Sequence, residues 1–290
     1  MNEQQYTFYK HSGKFGPHGP VLAIIAALVV GYPLGILYSY LIKWIPFIYL
    51  NFFITVGYGA AYGLMTAVIM KFAKVRNGTV AAVTGLIAGL CGSFLSWNGF
   101  LHSITDDAPL FINFAQLSKI MKFFYDHGSW GIGTGGSGPV TGTVLALVWI
   151  AEAGIIVVMS TALSFVAVAH VPFCETHECW LNQEKKIESL DAFLSPDQVA
   201  TLKAGSIAPL EAAGLRVPAS GRFSRLLLRY SDKCEENCTL SMLNVTVSVD
   251  KNSKPRESTQ TIITNLLLPK TMLDYLGKLE HREPPATAGV

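Results

Sequence analysis

The sequence predicts a membrane α-helical bundle, four transmembrane helices plus one interfacial helix, followed by a small soluble α+β domain. Three observations carry that expectation. Four long apolar runs lie near residues 20–42, 46–72, 79–101 and 138–169, and each reaches the roughly 20 residues that cross a hydrocarbon core about 30 Å thick. Charged residues make up 14% of the chain, against ~25% in soluble domains, and they concentrate after Pro172. The last stretch holds Cys174, Cys179, Cys234 and Cys238, leaving only Cys91 among the apolar runs.

The chain divides accordingly into a polar amino-terminal tail (1–19), a transmembrane domain (20–170), a soluble domain with cysteine clusters (171–280) and a disordered tail (281–290). The first apolar run starts at Pro20, exceeds the length of a signal-peptide core and lacks an A-x-A cleavage site; it reads as a membrane anchor. Pro33 within it removes a backbone donor and predicts a kink. Glycine pairs at four-residue spacing, Gly31/Gly35, Gly59/Gly63 and Gly85/Gly89, predict close helix packing in lipid.

The charges set an orientation. Lys10 and Lys14 precede the first run; Lys71, Lys74 and Arg76 lie between the second and third; Lys185 and Lys186 follow the fourth. Positive residues mark the cytoplasmic side, so both termini are expected in the cytoplasm and 102–137 outside. Lys119 and Lys122 in that outer loop run against the pattern. Net charge is +2, and acids and bases roughly cancel in the soluble domain, which argues against nucleic-acid binding. The expected partners are the lipid bilayer and a protein at the cytoplasmic face.

Glu152 stands within the fourth apolar run. A carboxylate at membrane depth is costly and usually faces a partner or a wet cavity. It could carry a proton or a cation, or be tied to a neutral group such as Asn51, Thr55, Thr84 or Ser93. In the outer loop, Leu110–Asp126 has helical character and suits a helix lying in the interface. His102, Asp106, Asp107, Asp126 and His127 are acid–base or metal-ligand types, in no catalytic spacing. Gly131–Gly136 formally matches G-x-G-x-x-G but follows no strand, so it reads as a linker.

After the fourth run come Cys174, His177 and Cys179, then Cys234 and Cys238. Two local clusters, each with two or more ligands, can close one structural zinc site; two disulfides in an oxidising compartment are the alternative, and free thiols the third. The remaining elements read as helices at Leu194–Lys203 (capped by Ser195, with Pro196 in the first turn), Leu210–Gly214 and Lys270–Leu279, with strands at Phe223–Tyr230, Ser241–Val249 and Ser258–Leu268. The second cysteine pair falls at the hairpin between the first two strands. Arg222, Arg225 and Arg229 form a mild basic feature that could touch lipid headgroups.

At Trp149–Glu152 and Pro172–Cys174 the chain resembles uncharacterised bacterial multi-spanning membrane proteins with a carboxy-terminal zinc-ribbon-like module. His177 stands where such a ribbon has the second cysteine of its knuckle. The resemblance implies architecture and no activity.

Three functions follow as expectations. The first is a membrane protein that anchors a zinc-stabilised cytoplasmic domain for protein binding or sensing. The second is a small transporter or channel using Glu152. The third is a membrane enzyme, which would need His102, Asp106, Asp107 and His127 to converge. With no P-loop, nucleophile elbow or H-E-x-x-H motif in the soluble domain, a non-enzymatic role is favoured.

Overall fold

The computed structural model describes residues 5–45, 47–105, 113–128, 139–190, 193–212, 221–249 and 255–279. They form two compact units: Ser12–His170, and the segment up to His11 together with Val171 onward.

The helical unit contains α1 (His18–Val29), α2 (Gly31–Trp44), α3 (Ile48–Phe72), α4 (Gly78–Ile104), α5 (Phe114–His127) and α6 (Gly142–Ala169). Helices α3, α4 and α6 are each long and apolar enough to cross a membrane; α1 and α2 pass that test together and meet at a bend of 43°. The bend sits one turn before Pro33. Its ring collides with the carbonyl four residues earlier and its nitrogen donates nothing, so the first apolar run becomes two helices. The outward face is apolar: Phe72 is 86% exposed, and Phe53, Val68, Ile150 and Val158 are exposed as well. Such a continuous surface suits lipid rather than water.

Inside, small residues let backbones approach. A Cβ on Gly59 of α3 would lie 2.8 Å from the Ile156 Cα of α6, and one on Gly89 of α4 would lie 2.8 Å from the Val157 Cα. Helix α6 thus sits against both α3 and α4 through glycine surfaces. Serines cross the same seams: Ser160 Oγ donates to the Gly85 carbonyl (2.7 Å), and Ser164 Oγ reaches the Gly63 carbonyl (3.4 Å). A stack of Tyr38 on Tyr58 (4.4 Å between centroids) fills the space between α2 and α3. Helix α5 buries no residue fully and opens with a reciprocal capping box between Asn113 and Gln116; it covers most of the Leu110–Asp126 stretch expected to be helical.

The second unit contains the ribbon β1 (Phe173–Cys174) and β2 (Cys179–Trp180), then β3 (Gln183–Leu190), α7 (Pro196–Lys203), α8 (Ala208–Ala212), β4 (Arg222–Tyr230), β5 (Asn237–Val249), β6 (Pro255–Pro269) and α9 (Thr271–Leu279). Strands β3 to β6 form an antiparallel sheet in sequential order. Alternate residues of one face, among them Leu226, Leu228, Leu240 and Met242, join Leu202, Leu210 and Leu276 from α7, α8 and α9 in one core. The opposite face carries cross-strand ion pairs, Arg229 with Glu184 (3.2 Å) and Arg225 with Glu257 (3.1 Å), while Arg222 lies over the Phe193 ring. These three arginines therefore have partners within the domain.

The sequence reading contained no strand at Gln183–Leu190. That segment alternates weakly and is rich in charge, as edge strands often are. The amino-terminal segment also differs from an independent tail. Tyr6 N–H donates to the Gly205 carbonyl, Leu267 N–H to the Thr7 carbonyl, and Tyr9 N–H to the Asn265 carbonyl, all at 2.8 Å. Residues 6–9 thereby occupy the outer edge of β6, where Phe8 bridges Leu266.

Candidate metal centre

The centre begins with a two-strand ribbon. Phe173 faces Trp180 and Cys174 faces Cys179 across it. Directly opposed residues share a face, so the two thiols project together on one side. On the other, the Phe173 and Trp180 rings meet edge-on at 5.0 Å. The turn between them spans Glu175–Glu178 and closes with Glu178 at φ +47°. This brings His177 over the ribbon, where its backbone N–H donates to the Cys174 sulfur and its Nδ1 lies 3.6 Å from Cys174 Sγ. The ribbon's base is held by Leu181 N–H to the Pro172 carbonyl (2.9 Å) and by Phe173 N–H to Tyr9 Oη (3.0 Å).

Cys234 arrives from the connection between β4 and β5. Its N–H donates to the Ser231 carbonyl (3.1 Å), and Lys270 fixes that turn from the end of β6 through Nζ to the same carbonyl (3.1 Å). Its thiol donates to Cys174 Sγ at 2.8 Å, beyond the ~2.05 Å of a disulfide, and all five cysteines are free. Among the described residues, Cys174, His177 and Cys234 form a group whose ligand atoms all lie within 4.8 Å of one another. The sulfurs of Cys174 and Cys234 are buried and the imidazole is exposed. They lie close enough to bind a metal ion.

Cys179 packs against the same small cluster, with Leu181 beneath. Cys238 lies apart from it in chemical role: it belongs to the sheet core and its thiol donates to the Pro269 carbonyl (3.5 Å). Burial pushes the Cys238 thiol up to about 12, with Cys234 adding to the rise and Lys270 opposing it. Burial and the hydrogen bond with Cys234 push Cys174 up to about 11.

The donor set fits a tetrahedral ion. Metal–sulfur and metal–nitrogen bonds of about 2.3 and 2.05 Å place an S and an N ligand about 3.6 Å apart, and two sulfurs about 3.8 Å apart. The Cys174–His177 edge already has the first value. The two sulfurs would need to separate by about 1 Å.

The other expected residues lie elsewhere. Glu152 lines a cavity in the helical unit. His102 Nε2 pairs with Tyr32 Oη (2.9 Å), and His127 Nδ1 bonds the Phe123 carbonyl (2.9 Å) while its ring stacks on Phe123. Asp126 pairs with Lys122 (3.2 Å). Asp106, Asp107 and Gly131–Gly136 lie outside the described residues. Tyr9 and Lys270 were not anticipated as supports of the centre; the only trace is the aromatic, strand-like run at residues 6–9.

Fold and centre together define a class of protein: membrane-length apolar helices joined to an antiparallel α+β domain that carries a thiol–imidazole cluster. No family model matches the chain, and neither a curated protein nor a solved structure matches it.

Proposed function

We propose that this is an integral membrane protein whose helices anchor a zinc-stabilised domain at the cytoplasmic face, where the domain binds another protein or senses a condition. The convergence of Cys174, His177 and Cys234 from chain segments 60 residues apart carries the reading. Thiolate with imidazole selects zinc among common cellular ions. Cys179, opposite Cys174 on the ribbon but outside the group of three, would turn its thiol toward the ion to supply the fourth ligand and close the coordination shell. A closed shell supports a structural role over a catalytic one.

Parity supports four crossings. Residues 6–9 bond to β6 and to Gly205, which favours one side of the membrane for them and for the domain after α6, and so an even number of crossings. The bent α1–α2 pair with α3, α4 and α6 makes four. Lys71, Lys74 and Arg76, on the same side as the termini in that arrangement, support the cytoplasmic assignment.

Metal content and free-thiol count on the purified full-length protein test this. The reading requires about one zinc per chain, with thiols reduced and protected until a chelator is added. A metal-free protein with its cysteines oxidised would overturn it and put the domain outside the cell.

A further inference from the structure

A second site lies wholly within the helical unit. Glu152 of α6 lines a cavity of about 110 Å³ walled by Tyr38, Trp97, Phe100, Phe124 and Trp149. Five aromatic rings around one carboxylate are drawn from four helices, α2, α4, α5 and α6. Trp97 meets Trp149 edge-on at 5.0 Å, and Phe100 meets Phe124 at 5.2 Å, so the walls brace one another. Trp97 and Trp149 also line a separate groove of about 450 Å³ between α5 and α6, whose lining includes Lys122, ion-paired with Asp126.

The hydroxyls near the carboxylate are already committed. Thr55 Oγ1 donates to the Asn51 carbonyl (2.9 Å), so the proton of Tyr38 Oη goes to Thr55 Oγ1 (3.0 Å). Ser39 Oγ shares its proton between the Gly35 (2.9 Å) and Ser96 (3.0 Å) carbonyls. Ser96 Oγ donates to the Ser93 carbonyl (2.8 Å). Among the described residues no side chain donates a hydrogen bond to Glu152. A carboxyl at membrane depth without a donor is either protonated or compensated by a positive group, and the cavity leaves room for the second. The walls specify which kind. Aromatic faces attract a cation electrostatically and accept an apolar surround, whereas a small metal ion requires several oxygen ligands, and rings rather than oxygens make up most of this lining.

We propose that this cavity binds an organic ammonium cation, held by the Glu152 carboxylate and the faces of the surrounding aromatic rings. The cation comes either from a lipid headgroup or from a free amine; the chemistry of recognition is the same.

Full-length protein in phosphatidylglycerol nanodiscs is titrated with benzyltrimethylammonium and with its neutral isostere neopentylbenzene, read by tryptophan fluorescence and calorimetry. Saturable binding of the cation is expected, with the isostere at least ~10-fold weaker, a difference within the range of desolvated cation–π contacts. Glu152→Gln should weaken the cation by ~10-fold or more and leave the isostere unchanged. Phe124→Ala, on the exposed helix α5, should weaken the cation severalfold and covers the case in which Glu152→Gln fails to fold. Equal binding of cation and isostere, unchanged cation affinity in Glu152→Gln, or no saturable binding to the wild type overturns the proposal. Adding phosphatidylethanolamine to the nanodiscs separates the sources. Competition with the probe assigns the headgroup, and unchanged probe affinity assigns the free amine.

Discussion

Replacing Cys234 with serine tests the centre most directly. Cys234 and Cys174 are 60 residues apart and touch through their sulfurs. A metal joining them closes a loop of that length, and the chain-entropy relation for a cross-link gives about 4 kcal/mol at 25 °C. Zinc in peptides that lack any other core contributes about 10–16 kcal/mol. This domain has its own apolar core of Leu226, Leu228, Leu240 and partners, so the smaller figure applies. Loss of about 4 kcal/mol accelerates exchange of globally protected amides about a thousandfold. Hydrogen exchange of β4 and β5, measured in full-length protein with and without a zinc chelator, reads this. The wild type should drop to the level of Cys234→Ser when zinc is removed, and the variant should be indifferent to chelator. Cys234→Ala separates metal loss from a misplaced hydroxyl, and Cys91→Ser, in the helical unit, should change nothing. A chelator effect on the wild type below about 0.5 kcal/mol would refute the reasoning. Sensitivity to reductant in place of chelator would assign a disulfide.

Removing residues 5–11 strips three main-chain hydrogen bonds, two from the edge of β6 and one from the Gly205 carbonyl; at about 0.5–1.5 kcal/mol each, the domain should lose about 2–4 kcal/mol, with Asn265–Leu267 amides exchanging faster. Gly89→Val puts a side chain against the Val157 backbone, where even a Cβ would sit at 2.8 Å; the helices must separate, and a lowered midpoint in thermal size-exclusion measurements is expected. Cys238 gives a pH dependence. Its folded thiol is pushed from 9.0 up to about 12, so the folded state holds the proton more tightly than the unfolded state. Its contribution is complete below pH 9 and is lost as pH rises toward 12, by up to about 1.4 kcal/mol per unit. Urea unfolding at pH 8 and pH 10.5 should show that loss in the wild type and much less of it in Cys238→Ala.

How far these features were legible depends on what each residue had to satisfy. Membrane-length helices were legible because a bilayer demands unbroken apolar length, and the bend because Pro33 has one mechanical effect. Ser195 and Pro196 marked the start of α7 through local bonds alone, and Ser195 caps Gln198 N–H as expected. Strand β3 was not legible: Lys185, Lys186 and Glu188 mask it, and its apolar signal is little more than Ile187. The pairing of residues 6–9 with β6 depends on segments about 260 residues apart, which no local pattern encodes. Within the centre, the sequence offered five ligands without ranking them. Only the ribbon register and the fold of the β4–β5 turn separate Cys174, His177 and Cys234 from Cys238, whose thiol faces the sheet core. For Glu152, the sequence suggested hydroxyl partners, yet the ring of aromatic walls appears only when α2, α4, α5 and α6 are brought together.

The pairing of Thr7 with Leu267 also has a consequence in time. Synthesis proceeds at about 5–20 residues per second, so the ribosome makes the strand that receives residues 6–9 about 13–50 seconds after making those residues. During that interval the apolar helices can enter the bilayer while the amino-terminal segment waits unpaired. The sheet edge is sealed only once translation has passed Leu267. A bulky fusion ahead of Tyr6 would therefore act on the last step of maturation, and pulse-labelled protein should acquire protease resistance in the domain later than it acquires membrane insertion.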